Sequence, residues 1–256
     1  MSGDFPEVRY ADADSVSIAY CVRGDGPIDL VRVPGILSSI LASTVDPVIG
    51  AHYEHLAGFA RLLLLDRRGL GMSDPLVAGG APPLEQQVHD ILAVMDAAGS
   101  RQAALYASND GGPVALLFAA MHPDRVSALV LDSTWARAVR APDYPFGPDL
   151  AAREQGGLLI RSQWGSLDNP WGFEGLAPSR LDDPSFRQVL ARVQQVSASR
   201  AAATAEYLNA QNDVRAVLPL VQAPTLVLCG ADSDRAVGGL RLLGHSQFLV
   251  DHIPVS

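Results

Sequence analysis

The chain has 256 residues, of which 48% are hydrophobic and 18% are charged. This length and composition are typical of one globular domain with a large core, and they exclude a disordered chain. All 19 cationic residues are arginine, and the formal net charge is −9. An acidic chain without lysine argues against nucleic acid or an anionic membrane as a partner.

Residues 1–14 are polar and acidic, so no secretory signal is evident. No apolar run approaches the roughly 18 residues that a membrane-spanning helix needs. Cys21 and Cys229 fall in separate strand-like runs, which predicts two buried thiols rather than a disulfide or a metal pair. The sequence therefore predicts a cytoplasmic protein.

Short β-rich runs alternate with helical stretches along the chain. The apolar spacing of residues 84–98 predicts a helix that ends at Gly99. Strands are predicted at residues 16–22, 29–33, 62–65, 103–105, 129–131 and 225–229. This alternation predicts an α/β fold, with a mostly parallel sheet covered by helices on both faces.

The alternation is interrupted at about residues 134–219. The first part of this stretch is rich in proline, glycine and tryptophan, and residues 184–212 have a helical pattern. Such an insertion predicts a cap over a ligand pocket, lined by Trp164, Trp171 and Phe173. The alternative is that these aromatic side chains form the packed interior of the insertion.

A strand-to-helix turn at residues 106–113 carries the most informative residue. Ala107 and Gly111 lie two residues before and two residues after Asn109, which is the spacing that holds an attacking side chain on a sharp turn. Serine, cysteine or aspartate normally fills that position. Because a neutral carboxamide is a poor nucleophile, the sequence predicts a nucleophile position without a nucleophile.

Motifs over nearly the whole chain resemble those of the α/β-hydrolase superfamily, and they occur in the same order. They are the turn at residues 33–36, the turn at 66–74, the turn at 106–113, and the strand and loop at 223–235. The resemblance implies an α/β-hydrolase fold with a cap insertion at about 134–219. It also implies a site of the kind that acts on esters or related acyl compounds.

The same resemblance selects among three neighbouring residues for the nucleophile position. In these proteins His-Pro commonly follows the nucleophile by about thirteen residues, and His122 lies thirteen residues after Asn109 (122 − 109). Asp110 is the alternative because Ser108 and Gly112 flank it as small residues. The neighbours of Ser108 are larger, so Ser108 is the weakest of the three.

A narrower resemblance is to the hydrolase-like N-terminal domains of actinobacterial, especially mycobacterial, class III adenylate/guanylate cyclases. It is carried by residues 10–30, 94–99, 111–113, 141–145, 213–218 and 251–254. The resemblance implies that the final strand and helix of the fold are missing here. We therefore expect self-association or a separate cyclase or regulatory partner, because an open sheet edge leaves backbone groups unpaired.

The acid of a catalytic triad is expected at Asp234, or at Asp232, in the loop after the last predicted strand. The alternative role for either residue is a turn or capping aspartate. No histidine follows the acid at the distance that the resemblance implies. We expect surface or helix-end positions, rather than a general base, for His52, His55, His89, His122, His245 and His252.

An oxyanion hole would use the backbone N–H groups of Ile36 and Asp110, since backbone donors survive side-chain changes. The Asp110 carboxylate would oppose a negative charge that develops there. The substrate pocket is expected to include Pro34, Gly35, Trp164 and Trp171.

No nucleotide-binding glycine motif and no metal-ligand spacing are present, so we expect neither a cofactor nor a metal. The sequence favours a catalytically degenerate domain that binds a small apolar or acyl ligand or serves a regulatory role. One alternative is an active hydrolase, acting on acyl compounds or epoxides, with Asp110 or Ser108 recruited. Another is non-hydrolytic chemistry with Asp110 as the acid and base.

Overall fold

The computed structural model describes residues 6–75, 81–176, 178–208, 212–230 and 242–254. Its strands are β1 (Arg9–Ala13), β2 (Val16–Arg23), β3 (Asp29–Val33), β4 (Arg61–Leu65), β5 (Ala103–Ser108), β6 (Val126–Asp132) and β7 (Thr225–Leu228). Within the described residues they form one sheet in the order β1-β2-β4-β3-β5-β6-β7. The pairs β1/β2 and β2/β4 are antiparallel, and the other neighbours are parallel.

The helices lie between and after these strands. They are α1 (Ala42–Val45), α2 (Pro47–Ala57), α3 (Leu84–Ala97), α4 (Gly112–Met121), α5 (Leu150–Gln163), α6 (Phe173–Leu176), α7 (Pro184–Ser197), α8 (Arg200–Leu208) and α9 (Leu242–His252). Helix α3 ends near Gly99, which has a φ of +69°. None of the described helices is long and apolar enough to cross a membrane.

The sheet is buried on both faces, as the continuous apolar run in β4 predicts. Leu63 and Leu65 belong to a core that includes side chains of α3 and α4. The alternate residues Leu62 and Leu64 belong to a second core that includes Tyr53 from α2. The predicted α/β fold with helices on both faces is therefore confirmed.

Helices α5 to α8 lie between β6 and β7, within the stretch predicted as a cap. Their side chains pack over two loops of the sheet domain, because Trp171 and Tyr207 share a core cluster with Ile36 and Leu70. In the described part of the chain, β7 is the sheet edge and α9 follows it. The absence of a further strand stays a prediction.

Candidate active site

The turn after β5 has a strained backbone at Asn109, whose φ is +49°. A 3₁₀ turn over Asn109–Gly111 leads directly into α4. A side chain on Gly111 would place its Cβ 2.6 Å from the Val33 carbonyl oxygen, so the turn and the end of β3 need a glycine to approach so closely. The predicted turn thus presents Asn109 on a sharp strand-to-helix bend.

The exposed Asn109 side chain borders a cavity of about 330 Å³ between the sheet domain and the cap. Gly35 and Ile36 line it from the loop after β3, and Trp171 and Tyr207 line it from the cap. This volume suits a small organic ligand. The described residues contain no cluster of histidine, cysteine and carboxylate groups that could hold a metal ion.

The Asp110 carboxylate is fixed by two groups at the rim of this cavity. Its Oδ1 accepts the backbone N–H of Ile36 at 3.1 Å, and its Oδ2 accepts a hydrogen bond from Arg67. A Cβ on Gly35 would lie 2.7 Å from Oδ1, so the missing side chain of Gly35 leaves the space that the carboxylate occupies. The Ile36 N–H predicted for an oxyanion hole is therefore already bonded to an anion.

Arg67 connects the turn after β4 to both the elbow and the cap. Its buried guanidinium also donates to Gln87 Oε1 at 3.0 Å and lies 3.9 Å from the Glu206 carboxylate on α8. Burial raises the pKa of Glu206, and the nearby charge of Arg67 opposes that rise. One arginine is therefore shared by two carboxylates that border the cavity.

Ser108 is buried, and its Oγ accepts a hydrogen bond from Arg32 Nη2 at 2.6 Å. The guanidinium occupies one acceptor lone pair of the hydroxyl, and no hydrogen bond from this hydroxyl to a base is seen among the described residues. This environment disfavours Ser108 as a nucleophile.

Two residues predicted to line the substrate pocket lie outside the lining of the main cavity. The Trp164 indole is buried inside the cap and donates to the carbonyl oxygens of Gln194 and Ala198, each at 2.9 Å. Pro34 lies below the elbow, where its carbonyl is 2.8 Å from the position of a Cβ on Gly111. Neither residue is among the described residues that line the main cavity, so a role in the substrate pocket stays a prediction for both.

The aromatic residues of the cap divide between two cavities. Trp171 lines the main cavity with Gly35, whereas Phe173 borders a separate one within the cap.

The histidines also differ from the expectation. His245 is fully buried, and its Nδ1 lies 2.6 Å from the Tyr144 hydroxyl, so the prediction of a surface or helix-end position is wrong for this residue. His52 projects from α2 and lines the main cavity. Asp232 and Asp234, predicted for the acid, lie outside the described residues.

The sequence did not reveal the charged residues Arg32, Arg153 and Glu206, which line the cavity, or buried Arg67, which pairs with Asp110 at its rim. Arg32 carried a usable signal, since it is a charged residue inside the otherwise apolar end of a buried parallel strand. Arg67 lies in a turn that repeats a family motif. The contacts of Arg67 with residues distant in the sequence depend on how those segments pack together, and the spacing of residues along the chain does not reveal this packing.

A profile of the α/β-hydrolase fold family matches residues 53–238. Because that match spans most of the chain, this protein belongs to the α/β-hydrolase fold family.

Solved structures support the fold. A bromoperoxidase from Bacillus anthracis superposes with a TM-score of 0.76 at 20% identity, over 97% of this chain and 88% of that one. An enol-lactonase from Burkholderia xenovorans LB400 superposes with a TM-score of 0.72 at 19% identity, over 96% of this chain and 88% of that one.

Epoxide hydrolase B of Mycobacterium tuberculosis is 33% identical over 94 residues. The matched stretch is 36% of this chain and 26% of that protein, so the chain spans about a quarter of the curated relatives that it matches.

Proposed function

We propose that this protein is a catalytically silent member of its family that binds a small apolar or acyl ligand, with a regulatory role. The observation that carries the proposal is the Asp110 carboxylate on the Ile36 N–H, immediately beside Asn109. In a working hydrolase of this fold, that backbone donor stabilises the negative oxygen of the reacting carbonyl.

Two independent features of the elbow support this proposal. Asn109 has no acidic proton to lose, so it does not form the acyl intermediate that serine or cysteine would form. A developing oxyanion would also meet the fixed charge of Asp110, which disfavours it electrostatically. Replacing Asn109 alone would therefore leave the second obstacle in place.

The regulatory part of the proposal rests on the resemblance to hydrolase-like domains of class III cyclases. A domain that retains a pocket but not the chemistry can report ligand occupancy to a neighbouring protein. The Arg67 contacts join the cavity rim, the elbow and cap helix α8, and they are the proposed route by which a bound ligand is sensed.

The proposal is tested by esterase assays on the purified chain with a short-chain and a medium-chain nitrophenyl ester. Asn109→Ala, Asn109→Ser, Asp110→Ala and the double variant Asn109→Ser/Asp110→Ala are assayed beside it. We expect no rate above background for the wild type or for Asn109→Ser. Wild-type turnover that is lost in Asn109→Ala or Asp110→Ala would overturn the proposal.

A second candidate is hydrolysis with Asp110 as the nucleophile, which the local similarity to an epoxide hydrolase favours. Asp110 borders the cavity, but both of its oxygens are already engaged. Incubation with an epoxide, followed by mass spectrometry of the intact chain, separates the candidates. A covalent adduct, or conversion of the epoxide to its diol, that is absent in Asp110→Asn supports the second candidate. A chain that is neither modified nor able to form the diol supports the first.

A further inference from the structure

The main cavity has a polar end between the sheet and α2. This end is lined by Arg32, His52, Tyr53, Tyr106 and Ser108. The side chains contributed by the cap include Trp171, Leu176 and Tyr207. The cap also contributes the charged side chains of Arg153 and Glu206. A ligand that fills the cavity therefore meets polar groups at the sheet and, at Trp171, Leu176 and Tyr207, apolar surface at the cap.

Arg32 is the cation at the sheet end, and all of its hydrogen-bond acceptors are neutral. Nη1 donates to the carbonyl oxygens of Val33 at 2.7 Å and Tyr106 at 3.2 Å, and Nη2 donates to Ser108 Oγ at 2.6 Å. Among the described residues, no carboxylate oxygen lies within 4.0 Å of its guanidinium. Partly buried arginines usually have an anionic partner.

The guanidinium also retains donor capacity. Of the five N–H groups of an arginine, the three bonds use only Nη hydrogens, and one Nη2 hydrogen remains. The enclosed Nε has no hydrogen-bond partner in the part of the chain that the structure describes. Arg32 can therefore donate to an additional anionic oxygen without breaking its existing bonds.

The groups around Arg32 favour a monoanion. Burial, followed by the charge of Arg32, lowers the pKa of His52, so His52 is neutral at pH 7 and adds no second cation. The Tyr106 hydroxyl donates to the Asp132 carboxylate at 3.2 Å, which places a negative charge beyond that ring. At this end of the cavity a dianionic phosphate would meet the Asp132 carboxylate with Arg32 alone beside it to balance its charge.

Arg153, the second arginine that lines the cavity, is less suited to bind the anion. Arg153 on α5 stacks 3.8 Å from the Tyr207 ring centroid and donates Nε to the Tyr207 carbonyl oxygen at 2.7 Å. Burial lowers the pKa of Arg153, and the nearby Tyr207 and Asp110 oppose that shift. Like Arg32, Arg153 has no carboxylate oxygen within 4.0 Å among the described residues. It differs from Arg32 in its place, because its guanidinium lies over the Tyr207 ring of the cap and not among the polar groups of the sheet end.

We propose that the cavity selects an amphipathic monocarboxylate, with its carboxylate on Arg32 beside Ser108 and its apolar tail against Trp171 and Tyr207. The inference rests on the proposed ligand-binding function and names the ligand class. It adds a charged group to what was expected to be a purely apolar or acyl ligand.

The test is to titrate the purified full chain with octanoate and, separately, with 1-octanol at pH 8, following tryptophan fluorescence. Trp135 and Trp171 line the cavity and report its occupancy. We expect octanoate to bind about tenfold or more tightly than octanol, since a hydrogen bond to a charged group contributes about 1.5–3 kcal/mol. Equal affinities for the two ligands would overturn the inference.

Two arginine variants locate the selecting charge. In Arg32→Gln we expect the octanoate affinity to fall about tenfold while the octanol affinity changes by less than about twofold. Arg153→Gln is the matched control and should keep the preference for octanoate. If Arg153→Gln loses the preference for octanoate and Arg32→Gln keeps it, then Arg153 binds the carboxylate and the inference is overturned.

If Arg32→Gln does not fold, the inference is still tested by Arg32→Lys and by comparing octanoate with 1-octanol on the wild-type protein. Lysine keeps the charge without the forked donors, so it should retain part of the octanoate preference. If octanol binds and octanoate binds no better, only the carboxylate inference fails. If neither ligand binds, both the carboxylate inference and the proposed ligand-binding function fail. If octanoate binds selectively but the chain also hydrolyses esters, only the proposal that the protein is catalytically silent fails.

Discussion

The Asp110 carboxylate accepts the Ile36 backbone N–H at 3.1 Å and a hydrogen bond from buried Arg67. These contacts tie the elbow, the loop after β3 and the turn after β4 to one side chain. Asp110 therefore has a structural role at the rim of the cavity, whatever chemistry takes place there.

Removing the Asp110 charge should destabilise the fold. Asp110→Asn leaves Arg67, whose side chain is 4% exposed, with the more distant Glu206 as its nearest anionic partner among the described residues. We expect a loss of about 2–4 kcal/mol in the free energy of unfolding, measured with urea. Glu54→Gln, which breaks the exposed pair with Arg23, is the control and should cost under about 1 kcal/mol. Similar losses in both variants would contradict a structural role for Asp110.

Gly112 should tolerate no side chain. A Cβ there would lie 1.8 Å from Thr134 Oγ1, whose hydroxyl donates to the Asn109 carbonyl oxygen. We expect Gly112→Ala to lower the free energy of unfolding by about 2–3 kcal/mol through overpacking.

Gly99→Ala separates steric clash from backbone strain. Gly99 has a φ of +69°, but a Cβ there would meet nothing within 4 Å. Strain alone should cost about 1 kcal/mol. A Gly112→Ala variant no less stable than Gly99→Ala would refute the clash.

Asp66 should make stability fall as the pH rises from acidic to neutral. Burial raises the pKa of Asp66 from its ordinary 3.8 to about 6, against hydrogen bonds from the Met72 and Ile40 N–H groups. Because the folded state holds the proton more tightly than the unfolded chain, its stabilising effect is present at low pH and lost as the pH passes about 6. The expected loss from this group is about 2 kcal/mol between pH 4.5 and 7.5.

The measurement is urea unfolding of the wild type and Asp66→Asn at those two pH values. The variant should lose this part of the pH dependence, although it is less stable at both pH values because an amide cannot accept all of the same bonds. Asp25→Asn, at an exposed position, is the control. Parallel pH profiles for the wild type and Asp66→Asn would show that Asp66 does not titrate in this range.

Self-association through the β7 edge stays a prediction. Within the described residues β7 pairs only with β6, and Leu226 and Leu228 are 53% and 41% exposed. An exposed edge with apolar side chains favours pairing with another chain. We expect concentration-dependent oligomers in size-exclusion chromatography with light scattering, and a shift towards monomer in Leu226→Arg. A monodisperse wild-type monomer would exclude this.

Much of the fold could be predicted because it depends on local patterns. The four consecutive leucines of β4 fit a strand that is buried on both faces, and the spacing in α3 matches its buried face. The small residues around Asn109 similarly located the turn that the structure places there.

The charged part of the site could not be predicted in the same way. Arg67 and Glu206 are 139 residues apart (206 − 67), yet their side chains approach to 3.9 Å. No sequence periodicity links such residues, since their contact depends on how the cap packs against the sheet domain. The contacts of the Trp164 indole could not be predicted for the same reason, because its acceptors lie on α7 and just beyond it.

If the proposed function holds, the Asp110 carboxylate in the space beside Gly35 limits how hydrolysis could arise by mutation. A single base change turns an asparagine codon into one for serine or aspartate, so a nucleophile at Asn109 is one mutation away. The Asp110 carboxylate would still fill the space beside Gly35 and hold the Ile36 N–H. Regaining hydrolysis would therefore require at least two substitutions, and the one at Asp110 would leave Arg67 without its closest anionic partner.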